Sequence, residues 1–114
     1  MIILGIDPGA SGALAFLNLE AGLLDIVDMP VVVVQRGLKQ KREISAPMIA
    51  AIIRARRPDV AWLERVNAMP GQGVSSVWAF ARGVGALEGV LAALEVETHY
   101  VAPRVWQAKV AQRA

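Results

Sequence analysis

The succession of apolar segments along this chain admits few folds. Three segments of strand length come first, each followed by residues that favour turns, and they predict strands over Met1–Ile6, Ala13–Leu17 and Leu23–Met29. Val31–Val34 is predicted to continue the third strand irregularly, and the polar, basic segment Gln35–Glu43 is predicted to be a loop. Short connections between consecutive strands favour antiparallel pairing in this half of the chain.

Helices and strands are predicted to alternate in the second half. Ser45 is a candidate helix N-cap with Pro47 in the first turn, and Pro58 ends this helix after Arg57. The later elements are a strand over Val60–Leu63 that delivers Glu64 at its end, a loop over Asn67–Ser76, a helix traced by apolar positions from Val77 to Leu94, a strand over Glu97–Val101 and a helix from Pro103 toward Val110. The order β-β-β-α-β-α-β-α predicts an α/β domain, with a mixed five-stranded sheet and helices on its faces.

Composition narrows the class of protein. The 114 residues fit a single domain. Although 55% of them are hydrophobic, there is no run of the roughly 20 apolar residues that a membrane-spanning helix needs. No basic region precedes the first apolar segment, which argues against a signal peptide, and the absence of cysteine excludes disulfides and thiolate metal sites. We therefore predict a cytoplasmic protein without a membrane partner.

Two acidic residues directly follow predicted buried strands. Asp7 comes after the first strand, and Glu64 comes after the strand Val60–Leu63. Sites in open α/β sheets form at the carboxyl ends of strands, so parallel pairing of these two strands would bring the carboxylates together. Neighbouring carboxylates repel each other unless a cation joins them, and hard oxygen ligands favour Mg²⁺ or Mn²⁺. The pattern indicates a metal site suited to phosphodiester chemistry, although a simple turn and a solvated strand end would produce the same residues.

Basic residues are concentrated in one stretch of the chain. Between Gln35 and Arg57 the only acidic residue is Glu43, whereas the rest of the chain carries more acidic than basic residues and the formal net charge is +2. Such a block indicates an anionic polymer as partner, or else a solvated loop and the outer face of a helix. The candidates for contact with nucleic-acid phosphates are Arg36, Lys39, Lys41 and Arg42, together with Arg82, for which a surface ion pair is an equal alternative.

Four segments in order resemble the RuvC-like Holliday-junction resolvases of the ribonuclease H-like superfamily. Ile3–Ala15, with Asp7-Pro8-Gly9 at its centre, is similar to the first motif of that family, and Leu63–Val66 is similar to the second acidic motif. The stretch Ser75–Gly89 resembles the helix that follows this motif. Tyr100–Lys109 resembles the segment after the fifth strand, especially in phage-type members. The resemblance spans nearly the whole chain.

This resemblance implies a structure-selective endonuclease of DNA recombination and repair. Members of the family nick four-way junctions as homodimers, and they hold two metal ions with four acidic residues. By match, Asp7 and Glu64 are the first two of these residues, so both are implied to be catalytic and to bind Mg²⁺ or Mn²⁺. The apolar, glycine-rich helix Ser75–Leu94 is the first surface to test for dimer formation.

The sequence departs from the family in its acidic residues. The other two ligands of the family lie on a final helix beyond the fifth strand, but here no Asp follows Asp59. The acids after Glu64 are Glu88, Glu95 and Glu97, and none stands where those ligands would. We therefore expect a domain that is incomplete at its C-terminus. As given, this chain is expected to bind Mg²⁺ or Mn²⁺ weakly and to cut junctions little or not at all.

Three functions remain open at this point. The first is a metal-dependent junction endonuclease, and the second is a DNA-binding or structural protein that has the resolvase fold but an incomplete metal site. The third follows from the turn Asp7–Gly12, which resembles the phosphate-binding hairpin of actin-like and sugar-kinase ATPases. Those enzymes need a duplicated domain to enclose the nucleotide, which 114 residues cannot supply, so no nucleotide cofactor is predicted.

The remaining aromatic residues have structural interpretations. Trp62 and Trp106 are predicted to be core or covering residues rather than platforms for base stacking, and His99 is predicted to be a packed or edge histidine. Trp78 has two interpretations, helix packing or a dimer contact, that the sequence does not separate.

Overall fold

The computed structural model describes residues 1–65, 71 and 73–102. The elements in this part of the chain are β1 (Ile2–Asp7), β2 (Ala13–Asn18), β3 (Leu23–Asp28), β4 (Val31–Arg36), β5 (Lys39–Ile44), α1 (Ala46–Arg56), β6 (Val60–Glu64), α2 (Val74–Ala93) and β7 (Glu97–Val101). The helix predicted from Pro103 toward Val110, and with it Trp106, lies outside the described residues. Neither described helix combines the length and the apolar character needed to cross a lipid bilayer.

Five strands form a mixed sheet in the order β3-β2-β1-β6-β7. The central strand β1 pairs antiparallel with β2 and parallel with β6, and β6 pairs parallel with β7. β2 pairs antiparallel with β3, which is one edge of the sheet. The apolar run that opens the chain therefore lies in the middle of the sheet, where a strand has partners on both sides. This arrangement confirms the mixed five-stranded sheet predicted from the sequence.

The two helices cover one face of this sheet. Alternate residues of β1, β2 and β6 point toward the helices, as the two-residue period of a strand requires. The core they form with the helices is Leu4, Ile6, Leu14, Phe16, Ala61, Leu63, Ile49, Ile53, Leu87 and Leu91, with Met29 beside it. On the opposite face, Ile26 is 62% exposed and Trp62 is 42% exposed. Trp62 is therefore not a core residue, because its position in β6 faces away from the core.

A separate hairpin replaces the predicted loop at 35–43. β4 and β5 pair antiparallel from Val31↔Ile44 to Arg36↔Lys39 and form a two-stranded sheet of their own. Gly37, at φ +63°, lies in the two-residue turn, a conformation that glycine adopts without steric cost. The polar composition of residues 35–43 predicted a loop. The segment still forms a strand, because backbone hydrogen bonds to the valine-rich strand β4 do not require β5 to bury one of its faces. The element order therefore contains two more strands than predicted, although the main sheet has the five expected.

Helix α1 has the ends expected from the sequence. Ser45 is the N-cap, and its Oγ accepts a hydrogen bond of 3.3 Å from the backbone N–H of Met48. At the other end Arg57 adopts the left-handed conformation, and its N–H donates to the carbonyl of Ile53 at 2.9 Å. Pro58 follows directly and prevents continuation of the helix.

Helix α2 begins three residues earlier than predicted. It starts at Val74, so the predicted loop through Ser76 is wrong at its end. The N-cap is Gly73, which has no side chain to make a capping hydrogen bond and so leaves no signal in the sequence. Further along, a Cβ on Gly83 would lie 3.4 Å from Cδ1 of Ile44, which places α2 close against β5.

Candidate functional site

Asp7 and Glu64 end two neighbouring parallel strands. Ile6 of β1 pairs with Leu63 of β6. Asp7 directly follows Ile6 in the chain, and Glu64 directly follows Leu63. Because Ile6 and Leu63 both point into the core, the next residue of each strand points to the opposite face of the sheet. Asp7 is exposed and Glu64 is half-buried. The structure therefore brings the two predicted residues to the same edge and the same face of the sheet.

The turn after Asp7 holds this end of β1 in a compact conformation. The carbonyl oxygen of Asp7 accepts a hydrogen bond from the N–H of Gly9 at 3.1 Å, and the carbonyl of Gly9 accepts one from Gly12 at 2.9 Å. The N–H of Met29 donates to the carbonyl of Gly12 at 3.0 Å, which ties the turn to the end of β3. A Cβ on Gly12 would lie only 2.0 Å from the carbonyl oxygen of Asp7. Glycine at position 12 is therefore a steric requirement of the turn.

The acidic residues give a partial set of metal ligands. Two carboxylates supply hard oxygen donors of the kind Mg²⁺ and Mn²⁺ prefer, so the pair fits such an ion through some of its coordination positions. Within the described ranges, no three residues among His, Asp and Glu come close enough together to hold a metal ion. Glu97 lies 3.0 Å from Nε2 of His99. Glu88 accepts a hydrogen bond from the hydroxyl of Tyr100.

The contact between Glu88 and Tyr100 changes the acidity of the phenol. The hydrogen bond to Glu88 raises the pKa of Tyr100, with smaller contributions in the same direction from desolvation and from the negative charge of Glu88. The guanidinium of Arg65 lies 5.0 Å from the centre of the Tyr100 ring and lowers this pKa slightly. These contacts join Glu88 of α2 to Tyr100 of β7.

The basic stretch seen in the sequence is divided between two places. Arg36, Lys39, Lys41 and Arg42 all lie on the β4–β5 hairpin, whereas Arg54, Arg56 and Arg57 lie at the end of α1. Arg56 forms an ion pair of 2.7 Å with Asp25 of β3. Only the hairpin part of the stretch therefore belongs to the surface near Asp7.

Glu43 connects two of the predicted phosphate-binding residues. Its Oε1 lies 2.7 Å from Nη2 of Arg36, and its Oε2 lies 3.8 Å from Nη1 of Arg82, so Arg82 makes the surface ion pair that the sequence left as an alternative. Arg42 instead donates from Nη2 to the carbonyl of Ala10 at 2.9 Å, which joins the hairpin to the turn after Asp7. Lys39 and Lys41 are exposed on β5.

A groove of about 800 Å³ lies between the β4–β5 hairpin and helix α2. Its walls are the turn Pro8–Ala10, the hairpin residues Lys41–Ile44, the start of α1 and the first half of α2. Trp78 of α2 lines the groove and is 60% exposed, so it is not a core residue, and the dimer contact stays a prediction. The sequence did not predict that Trp78 lines a groove, although Trp78 falls outside the apolar stripe of Val77, Val84, Leu87 and Leu91 that marks the buried side of the helix.

Comparison with known proteins identifies the fold. No protein-family model and no curated protein matches the chain. The structure of Thermus thermophilus RuvC in complex with a Holliday junction substrate matches with a TM-score of 0.61 at 14% identity, covering 91% of this chain and 67% of that one. A second Thermus thermophilus RuvC structure matches with a TM-score of 0.55 at 15% identity, covering 90% and 64%. This chain thus spans about two thirds of the length of these structures.

These similarities confirm the predicted fold class. The chain has the ribonuclease H-like α/β fold, with a mixed five-stranded sheet and helices on it. The parallel pair β1 and β6, which carries Asp7 and Glu64, belongs to that sheet. The assignment to phage-type members remains a prediction from the sequence.

Proposed function

We propose that this chain is the DNA-binding and metal-binding domain of a structure-selective endonuclease that resolves Holliday junctions in recombination and repair. The observation that carries the proposal is the placement of Asp7 and Glu64 after paired residues of adjacent parallel strands. The resemblance of the sequence motifs to the RuvC-like family and the shared fold support it. The likeness to Thermus thermophilus RuvC, solved with a junction substrate, makes branched DNA the proposed substrate, and we propose that the chain acts in the cytoplasm as a homodimer.

In this proposal each group of residues has a distinct task. The carboxylates of Asp7 and Glu64 hold Mg²⁺ or Mn²⁺, and the family resemblance implies two ions. The bound metal supplies Lewis acidity to the phosphodiester. The cations Arg36, Lys39, Lys41, Arg42 and Arg82 attract and position the DNA backbone. The hydrogen bond from Arg42 to Ala10 joins the hairpin to the turn after Asp7.

The metal-binding task has a direct test. We expect calorimetric titration of the chain with Mn²⁺ to give weak binding, because two carboxylates fill only part of a coordination shell. Asp7→Asn and Glu64→Gln each remove one ligand, and each should reduce the affinity at least about tenfold, since even the loss of a residue supporting a ligand costs that much. Glu20→Gln is the matched control, since Glu20 pairs with the N-terminal amine at the other end of β2. Unchanged Mn²⁺ binding by Asp7→Asn would contradict the proposed site.

The DNA-binding task is tested by releasing the cations from Glu43. Glu43→Gln removes the partner of Arg36 and Arg82, so we expect about threefold tighter retardation of four-way DNA at low salt, the scale of an exposed ion pair. Glu20→Gln changes the net charge equally and should have less effect. Equal effects of the two substitutions would show that Arg36 and Arg82 do not contact the DNA. Failure of the unmodified chain to retard four-way DNA would reject the DNA proposal altogether.

A second function is favoured by the small number of acidic ligands. In the described part of the chain only Asp7 and Glu64 stand together at the sheet edge, which suits a protein that binds branched DNA without cutting it. Incubation of four-way DNA with the chain and Mn²⁺ separates the two functions. Robust cutting that Asp7→Asn abolishes supports the endonuclease, whereas retardation without cutting supports the binding protein.

A further inference from the structure

An exposed aromatic ring lies beside a cation on the first half of α2. Trp78 is 60% exposed, and the guanidinium carbon of Arg82 lies 5.4 Å from the centre of its ring. The two residues are four positions apart, which places them on the same side of the helix. Trp62, by contrast, faces the other side of the sheet, where it stacks on His99 with the ring centres 4.8 Å apart. Trp78 is therefore the described tryptophan that faces the groove.

The groove combines an aromatic surface with positive charge. Trp78, Ala79 and Phe80 contribute apolar surface from α2, whereas Lys41 and Arg42 contribute cations from the hairpin on the other side. Its volume of about 800 Å³ is in the range of sites that enclose organic ligands of moderate size. Flat aromatic rings with flanking cations are the elements by which proteins bind single-stranded nucleic acid, since bases stack on the ring and phosphates pair with the cations.

One end of the groove is formed by the turn that follows Asp7. Pro8, Gly9 and Ala10, which line this end, follow Asp7 directly in the chain. The carbonyl of Ala10 is bonded to Arg42, so a wall of the groove and the turn after Asp7 are linked. The groove therefore shares this turn with the sheet edge that carries Asp7 and Glu64, whose carboxylates lie on the face away from the helices.

We propose that the groove binds an unpaired nucleotide of the DNA substrate, with its base stacked on Trp78 and its phosphates paired with Lys41, Arg42 and Arg82. This inference rests on the proposed function, and it adds that the chain holds one strand of its substrate unpaired. The ion pair between Glu43 and Arg82, at 3.8 Å, is long enough for a phosphate to compete with it.

Tryptophan fluorescence and affinity for single-stranded DNA test this inference. We expect a short oligothymidylate to quench the emission of the chain and to bind about tenfold more weakly to Trp78→Leu, the scale of one lost base stack. Trp78→Phe retains an aromatic surface and should recover most of the affinity. Trp62→Leu is the matched control on the opposite face and should bind within twofold of the unmodified chain. Far-UV circular dichroism verifies that each variant is folded.

The outcomes separate this inference from the function on which it rests. If four-way DNA is retarded but Trp78→Leu binds single strands as tightly as the unmodified chain, the groove inference is overturned and the proposed function stands. If no form of DNA is retarded, the proposed function itself fails. If free thymidine monophosphate binds as tightly as the oligonucleotide, the groove is a site for small nucleotides, and its assignment to a DNA strand is overturned.

Discussion

Replacement of Gly12 by alanine is expected to lower the free energy of unfolding by about 3 kcal/mol, the upper part of the range for overpacked sites. The new Cβ would lie 2.0 Å from the carbonyl oxygen of Asp7, 2.9 Å from its carbonyl carbon and 3.1 Å from the backbone nitrogen of Gly9. All three are backbone atoms, so no side-chain rotation relieves the overlap. The turn must open, and with it the hydrogen bonds from Gly9 and Gly12 and the position of Asp7.

Gly9→Ala is the matched control for this substitution. It introduces the same methyl group into the same turn, but there the nearest heavy atoms are 3.9 and 4.0 Å away, which is ordinary van der Waals contact. Neither glycine has a positive φ, so the two variants differ in available space. Urea unfolding followed by circular dichroism gives both free energies. Equal stabilities of the two variants would show that the turn is not packed as described.

Leu63→Ala is the second substitution with a large expected effect. Leu63 is fully buried on β6, where it pairs with Ile6 on one side and Tyr100 on the other and packs under the helices. Truncation leaves a cavity in a place where neighbouring strands cannot move inward, so we expect a loss of about 3 kcal/mol in unfolding free energy. Since Leu63 directly precedes Glu64, weaker Mn²⁺ binding should accompany the loss of stability.

The same substitution at an exposed leucine separates burial from residue type. Leu24 lies on the edge strand β3 and is 60% exposed, so Leu24→Ala should change the unfolding free energy by less than about 0.5 kcal/mol. Thermal and urea unfolding of both variants measure the difference. A large loss in Leu24→Ala would mean that the face of the sheet opposite α1 and α2 is covered in solution.

Several features were predictable because they depend on neighbouring residues. Ser45 marked the start of α1 since its hydroxyl caps the helix locally, and Pro58 marked the end. The strand Glu97–Val101 was predicted with its observed bounds. Asp7 and Glu64 were predictable as neighbours, because each follows an apolar strand and parallel strands in an α/β sheet end at the same edge.

Other features depend on contacts between residues far apart in the chain. The β4–β5 hairpin could not be recognised from a basic segment, since its strands are exposed and show no alternation of apolar residues. Glu43 is one acidic residue in a basic stretch, and its role as partner of Arg82 depends on the packing of β5 against α2. Arg56, from the same basic stretch, likewise pairs with Asp25 of β3 and not with the hairpin, a contact that depends on how α1 packs on the sheet.

Local sequence thus established the strands of the main sheet, the limits of α1 and the two carboxylates at the ends of β1 and β6, because turns, caps and strand periodicity act within a few residues. The surface around those carboxylates required the tertiary structure. The approach of α2 to the hairpin forms the groove, turns Trp78 toward it and assigns Glu43 to two arginines. These relations join positions from three parts of the chain, and no pattern within any single part encodes them.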